Sequence, residues 1–175
     1  MFRCKPVSVR FRRRSLLLLC CLLLTLSLLS CQLQERATPA EAVEAMCRAE
    51  KPLPAGQLYC LSEQHSGQGE PLTRELIETA FGNGVYPPEM DGVTDAACFF
   101  SYSEACELSV FLCESATDAH SVANMCLRRL ELLKRERPDC ADILENATVT
   151  VRGRWTVLCV SSDPEAALRA FRRVL

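Results

Sequence analysis

Cysteine is the most chemically versatile residue type in this chain, and eight cysteines lie beyond residue 31. They are Cys47, Cys60, Cys98, Cys106, Cys113, Cys126, Cys140 and Cys159. Thiol redox chemistry needs a thiolate of low pKa, normally at a helix N-terminus or beside a base. Cys113 and Cys159 precede predicted helices but lie in strand-like apolar runs, and the charge of Glu107 would raise the pKa of Cys106. An even number of cysteines in an exported chain also permits a disulfide framework, but the pattern favours mostly free, buried thiols with one or two bridges at most.

Metal coordination has little support from the spacing of potential ligands. His65 and His120 are the two histidines, and the sequence contains no Cys-x-x-Cys or His-x-x-x-His spacing. Cys47, Cys60 and His65 could meet around a metal, but nothing in their spacing selects that arrangement. His120 falls in the first turn of a predicted helix, where a solvated or capping role is expected. We therefore expect no structural metal and no cofactor.

Hydrolytic chemistry is no better supported by the acidic residues. Asp91, Asp95, Glu104 and Glu107 are not spaced so as to distinguish an acid–base pair from a solvated charged face, and the solvated face is the default. A Gly-x-Ser-x-Gly nucleophile motif and a phosphate-binding glycine loop are both missing from the sequence. The sequence thus predicts no catalytic residue and favours a protein that is not an enzyme.

Cys31 is the residue with the clearest chemical assignment. Six basic residues and no acid precede an apolar run over residues 16–29, which is short for a membrane-spanning helix but right for a secretory signal. The small Ser30 then precedes Cys31, as at the cleavage site of a bacterial lipoprotein. We predict a lipoprotein signal peptide over residues 1–30, a lipidated Cys31 with a short tether to residue 37, and a single extracytoplasmic domain over residues 38–175. An uncleaved anchor, with Cys31 as an ordinary cysteine, is the alternative.

Cleavage would change the charge of the chain more than its length. The precursor has a net charge of −2, whereas loss of residues 1–30 leaves 14 Lys and Arg against 22 Asp and Glu. A domain so acidic is a poor partner for nucleic acid, and it should be repelled by an anionic membrane surface. The predicted location is the outer face of a Gram-positive plasma membrane, where the lipid anchor is the membrane contact.

Capping residues and hydrophobic periodicity predict the elements of the domain. Thr38, Pro39 and Glu41 form a capping box with proline at the first helical position, so a helix should run to about Ala49. The other expected elements are a strand over 57–61, a helix over 72–81, a hairpin over 96–102 and 107–114, a helix over 117–135, a short helix over 139–146, a hairpin over 147–151 and 155–161, and a final helix after Asp163.

This order predicts an α+β fold. From residue 96 onward the elements run ββα(α)ββα, which is typical of a two-layer sandwich with a mainly antiparallel sheet covered by helices on one face. The additional N-terminal helices are expected at the edge of the sheet.

The C-terminal half resembles a family of Firmicute lipoproteins catalogued as domain of unknown function 4358. The resemblance covers about residues 90–175. It is carried by Ser103-Glu104-Ala105-Cys106-Glu107-Leu108-Ser109-Val110-Phe111, by Arg128-Arg129-Leu130, by Val151-Arg152-Gly153-Arg154-Trp155-Thr156-Val157-Leu158, and by Ser162-Asp163-Pro164 leading to Phe171. Cys106 departs from the family pattern, which has an acid at that place. The resemblance implies the same fold and location, and it implies no chemistry, because the family has no established activity.

Binding is therefore the expected activity of the domain. The leading hypothesis is an accessory module with an envelope protein partner, for which an exposed aromatic sheet face would be the natural surface. Phe99, Phe111 and Trp155 could lie on that face, although burial of all three in the core is favoured. A small-ligand binding protein is the alternative, which a concave pocket with convergent polar groups would favour. A thiol oxidoreductase ranks third.

Overall fold

A six-stranded sheet forms the centre of the domain. The computed structural model describes residues 37–62 and 69–175. The strands are β1 (Gly56–Cys60), β2 (Glu70–Pro71), β3 (Val93–Ser101), β4 (Glu107–Cys113), β5 (Thr148–Arg152) and β6 (Trp155–Val160). They lie in the order β2-β1-β3-β4-β6-β5, and every neighbouring pair is antiparallel except β1 with β2. The α+β class and the mainly antiparallel sheet are confirmed.

Five α-helices surround this sheet in the described residues. They are α1 (Pro39–Ala49), α2 (Arg74–Phe81), α3 (Ala116–Glu136), α4 (Ala141–Glu145) and α5 (Pro164–Val174), with 3₁₀ turns at Pro88–Gly92 and Pro138–Cys140. The ββα(α)ββα order is confirmed, and most ends lie within one or two residues of the predicted ones.

Side-chain caps explain why the predicted helix starts are accurate. Thr38 accepts a hydrogen bond from the backbone N–H of Glu41, whose carboxylate accepts one from the N–H of Thr38. Ser115 and Asp163 likewise accept from backbone N–H groups three residues onward, at the starts of α3 and α5. Each cap satisfies a donor that has no partner inside its helix.

The sheet is covered by helices on both faces, so the domain has three layers. On β4, Leu108 and Val110 point into a core formed with α1 and α5, whereas Ser109 and Phe111 point toward α3. The prediction that only one face is covered is wrong in this respect. Alternate residues of β4 point to opposite faces of the sheet. Because nearly all of them are buried, both faces must be covered by other elements.

The α1 and α5 layer is joined to the sheet by a buried carboxylate as well as by apolar contacts. Glu50, at the C-terminus of α1, accepts hydrogen bonds from the Ser161 hydroxyl at 2.6 Å and the Ser162 N–H at 2.9 Å. Because these serines link β6 to α5, Glu50 connects all three elements. The expectation that α1 lies at the edge of the sheet is therefore wrong, because α1 packs on the face formed by β3 and β4.

The three aromatic residues considered for an exposed sheet face lie in or against the core. Phe99 and Phe111 are buried, and Trp155 is half-buried with its ring centroid 6.3 Å from that of Phe171. The favoured prediction of burial is therefore confirmed for Phe99 and Phe111, whereas Trp155 packs against the core and is only partly buried. These three rings form no open aromatic face, because α1 and α5 cover the side of Phe99 and Trp155 and α3 covers the side of Phe111.

All eight cysteines of the described part are free thiols. Six are buried, and Cys47 and Cys140 are half-buried. The prediction of mostly free, buried thiols is confirmed, and the allowance for one or two bridges is not needed. A domain with two apolar cores does not need covalent links to remain folded.

The packing of α5 on the sheet predicts a large effect of truncating Phe171. The Phe171→Ala variant should lose about 3–5 kcal/mol of unfolding free energy, because it leaves a cavity beneath a side chain that is 1% exposed. The exposed Arg173→Ala control on the same helix should change it by less than about 0.5 kcal/mol. Urea denaturation of the full chain measures both, and equal effects would contradict the described packing of α5.

Candidate functional site

An ion pair between Glu107 and Arg129 is buried between the sheet and α3. Both Nε and Nη2 of Arg129 lie 3.0 Å from Oε2 of Glu107, and the Ser109 hydroxyl donates to Oε1 at 3.4 Å. The Glu107 side chain is 3% exposed and that of Arg129 is 14% exposed. Burial raises the pKa of Glu107, and the guanidinium of Arg129 opposes this shift. A buried charge that is paired and hydrogen-bonded in this way is positioned rigidly.

The prediction that Glu107 lies on a solvated face is wrong, because its side chain is buried. The pattern of its strand indicates this burial. Glu107 shares the α3-facing side of β4 with Ser109 and Phe111, because alternate residues of a strand point the same way. On α3, Arg129 continues the spacing of the buried residues Cys126 and Leu133. Two charges of opposite sign at core-facing positions of packed elements predict a buried pair.

The pair lies at the wall of a cleft of about 400 Å³, which we name the ion-pair cleft. The cleft is bounded by the start of β4, the β3–β4 turn, one side of α2 and the C-terminal half of α3. Tyr59 and Phe100 line it with ring centroids 5.7 Å apart, and the 70% exposed Tyr102 lies beside them. Aromatic walls with a few fixed polar groups are typical of small-ligand sites.

A second concavity, the apolar groove, lies on the other side of Ala80. It has a volume of about 670 Å³ and is lined by residues of the loop after α2 and by α3, among them Val85 and Leu127. These two side chains are 70% and 49% exposed, respectively, which is unusual for large apolar residues in a folded domain. Arg128 at its edge pairs with Glu89 at 2.7 Å.

The four acids considered in the sequence do not converge. Asp91 and Asp95 lie at one end of the β3–β4 hairpin, because Val93 pairs with Cys113 there, whereas Phe100 pairs with Glu107 at the other end. Glu104 and Glu107 both line the ion-pair cleft. The structure thus brings together two of the four.

Seven of the eight described cysteines are poor nucleophiles in this fold. Burial is the main cause that raises the pKa of Cys47, Cys106 and Cys159 to about 12 and that of Cys113 to about 11. Burial also raises the pKa of Cys60, Cys98 and Cys126. For Cys106 the second cause is Glu50 rather than the neighbouring Glu107, because adjacent strand residues point to opposite faces. These seven thiols stay protonated at neutral pH, which disfavours the thiol-redox hypothesis.

Metal-type side chains do not form a cluster in the part of the chain that the structure describes. Groups of three or more His, Cys, Asp or Glu suited to a metal ion are not found there. His120 is exposed on the first turns of α3, and Cys47 and Cys60 belong to or pack against the core beneath α1. His65 lies outside the described residues.

Cys31 and the signal over residues 1–30 also lie outside the described residues, so lipidation stays a prediction. Within residues 37–62 and 69–175, the helices are too short or too polar to cross a bilayer.

Comparisons with known proteins identify no relative. No family model matches the chain, and neither a curated protein nor a solved structure matches it. The resemblance to the Firmicute lipoproteins stays a prediction, and the function must be argued from the site itself.

Removing one partner of the buried pair should be costly. Arg129→Met leaves the Glu107 carboxylate buried and unpaired, so we expect a loss of about 3–5 kcal/mol in unfolding free energy. The double variant Glu107→Leu/Arg129→Met should lose less than Arg129→Met alone, since no charge is then left without a partner.

The matched control for this experiment is Arg128→Met, one residue along α3. The side chains of Arg128 and Glu89 are 55% and 18% exposed, against 14% and 3% for Arg129 and Glu107, so solvent screens this pair more and the expected loss is only about 1 kcal/mol. Urea denaturation of the four chains supplies the comparison. If Arg129→Met and Arg128→Met lost the same unfolding free energy, burial of the Glu107–Arg129 pair would not account for its contribution to stability.

Proposed function

We propose that this protein is a lipid-anchored binding protein of the outer face of the plasma membrane, and that the ion-pair cleft holds a small organic ligand. The observation that carries the proposal is the convergence of a buried ion pair and an aromatic wall on one cleft of about 400 Å³. That volume lies within the roughly 300–1,000 Å³ range of small-molecule sites.

The buried pair supports a binding role through preorganisation. Arg129 is held to Glu107 through two nitrogens, so its guanidinium keeps one orientation at the cleft wall. A wall whose side chains are already fixed loses little conformational entropy when a ligand arrives. The high pKa values of the buried thiols favour binding over thiol chemistry.

Filling the cleft should abolish ligand capture. Thr79 of α2 lines the cleft and is exposed, so Thr79→Trp places an indole in the space without disturbing the core. Small molecules that co-purify with the full-length chain from its native membranes can be identified and quantified by mass spectrometry. We expect the wild type to retain a compound at about equimolar ratio and Thr79→Trp to retain at least about tenfold less.

Thr117→Trp is the matched control, because it adds an exposed indole without filling the cleft. Thr117 is exposed in the first turn of α3, away from the cleft, so this variant should retain the compound like the wild type. Equal recovery from the two tryptophan variants, or recovery of no compound from the wild type, would contradict ligand binding in the cleft.

An accessory module with an envelope protein partner is the second candidate. Exposure of Val85 and Leu127 beside the apolar groove favours it, because solvent-facing apolar residues that line one concave surface are typical of protein contacts. The surface involved would be this groove, since helices cover both faces of the sheet that was first considered for a partner.

Substitution of Leu127 tests this candidate directly. Leu127→Glu should remove most of the cross-linked partner recovered with the full-length lipidated protein, because a carboxylate in the groove must be desolvated on contact. Leu53→Glu, at a 39% exposed leucine after α1, is the control and should leave recovery unchanged. A partner recovered equally with both variants does not use the groove.

A further inference from the structure

The charges that line the ion-pair cleft are unequally compensated. They are Glu104, Glu107, Glu136, Arg129 and Arg137. Arg129 is committed to Glu107 at 3.0 Å. Arg137 donates from Nε and Nη2 to the carboxylate of Asp139, at 3.3 and 3.2 Å, and also to the carbonyl of Ser103. Both guanidinium groups are therefore already neutralised by the protein.

The two remaining carboxylates have no such partner. Glu104 and Glu136 are exposed, and neither forms an ion pair with any residue of the described ranges. They stand on the β3–β4 turn and at the end of α3, respectively, so they approach the cleft from different elements. The uncompensated charge of the cleft is negative.

The end of α3 adds to this negative potential. The helix has 21 residues and ends at Glu136, which lines the cleft, so the negative end of the helix dipole lies beside the cleft. The basic residues of its last turn offset this only in part, because Lys134 is paired with Glu131 and Arg135 lines the apolar groove. A helix C-terminus favours a cation beside it.

The aromatic wall completes the recognition of a cation. Tyr59, Phe100 and Tyr102 line the same cleft, and Tyr102 is 70% exposed although its ring is large. The face of an aromatic ring attracts an ammonium group, and the attraction grows as the cation loses water. The carboxylates and the aromatic ring faces of this cleft therefore both favour a positively charged ligand.

We infer that the recognised group of the ligand is an organic cation, a protonated amine or a quaternary ammonium, carried on a small apolar body. The inference rests on the proposed binding function and names the ligand class of the same cleft. The ammonium group lies between Glu104 and Glu136, while the apolar body packs on Tyr59 and Phe100. An acidic domain also raises the rate at which cations encounter it.

Three probes of similar shape test the charge preference. Benzylamine, benzyl alcohol and benzoate differ mainly in charge at neutral pH, and their dissociation constants are measured by calorimetry on the full-length chain in a non-ionic detergent at about 50 mM salt. We expect benzylamine to bind about tenfold or more tightly than benzyl alcohol and benzoate to bind least. Thr79→Trp should abolish binding of all three.

The variant Glu104→Gln/Glu136→Gln should remove most of the benzylamine preference while leaving benzyl alcohol unchanged. Both residues are exposed, so the fold is preserved, as a melting curve would verify. Glu114→Gln makes the same kind of change at the opposite end of β4 and should have no effect on any probe.

The outcomes separate this inference from the proposed function. If benzyl alcohol or benzoate binds as tightly as benzylamine, and Thr79→Trp abolishes that binding, the cleft binds ligands but does not select cations, and the inference is wrong. If no probe binds, the inference is also overturned, while recovery of the native compound with Thr79→Trp and Thr117→Trp decides the proposed function separately.

Discussion

The buried ion pair between Glu107 and Arg129 constrains the position of α3 on the sheet. Two charges removed from water are costly to the fold unless each finds the other in good geometry, so the sheet and the helix have few acceptable relative positions. Arg129 contacts Glu107 through two nitrogens, and the strand and the helix are thereby fixed at that point. The C-terminal half of α3, the cleft beside it and the groove on its far side all take their positions from this contact.

The two cores explain how a domain of this size holds such a contact. The apolar core between α3 and the sheet surrounds the Glu107–Arg129 pair. A second core, formed with α1 and α5, packs against the opposite face of the same strands. Because β4 is buried on both sides, its residues cannot shift toward solvent when a ligand or partner binds at the surface. The proposed ligand would therefore contact a frame that the packing on both sides of β4 holds in place.

The bounds of the helices and strands could be predicted from the sequence, but the face of the sheet that each helix covers could not. Thr38 and Asp163 signal helix starts through hydrogen bonds to residues only three positions away, so the helix bounds follow from short-range chemistry. Which face of the sheet a helix covers depends on contacts such as that of Glu50 with Ser161, which are 111 residues apart and leave no local pattern. For the site, strand alternation and the helix stripe mark Glu107 and Arg129 as core-facing, but their pairing across 22 residues follows only once the packing of the strand on the helix is known.

The free thiols have a consequence for where and how the chain can reach its native state. All eight cysteines of the described part are unpaired, and the packed cores replace the covalent links on which many small exported domains depend. Folding of this part therefore consumes no electron acceptor, because no disulfide has to form. The described domain can therefore reach its native state where no oxidant is present.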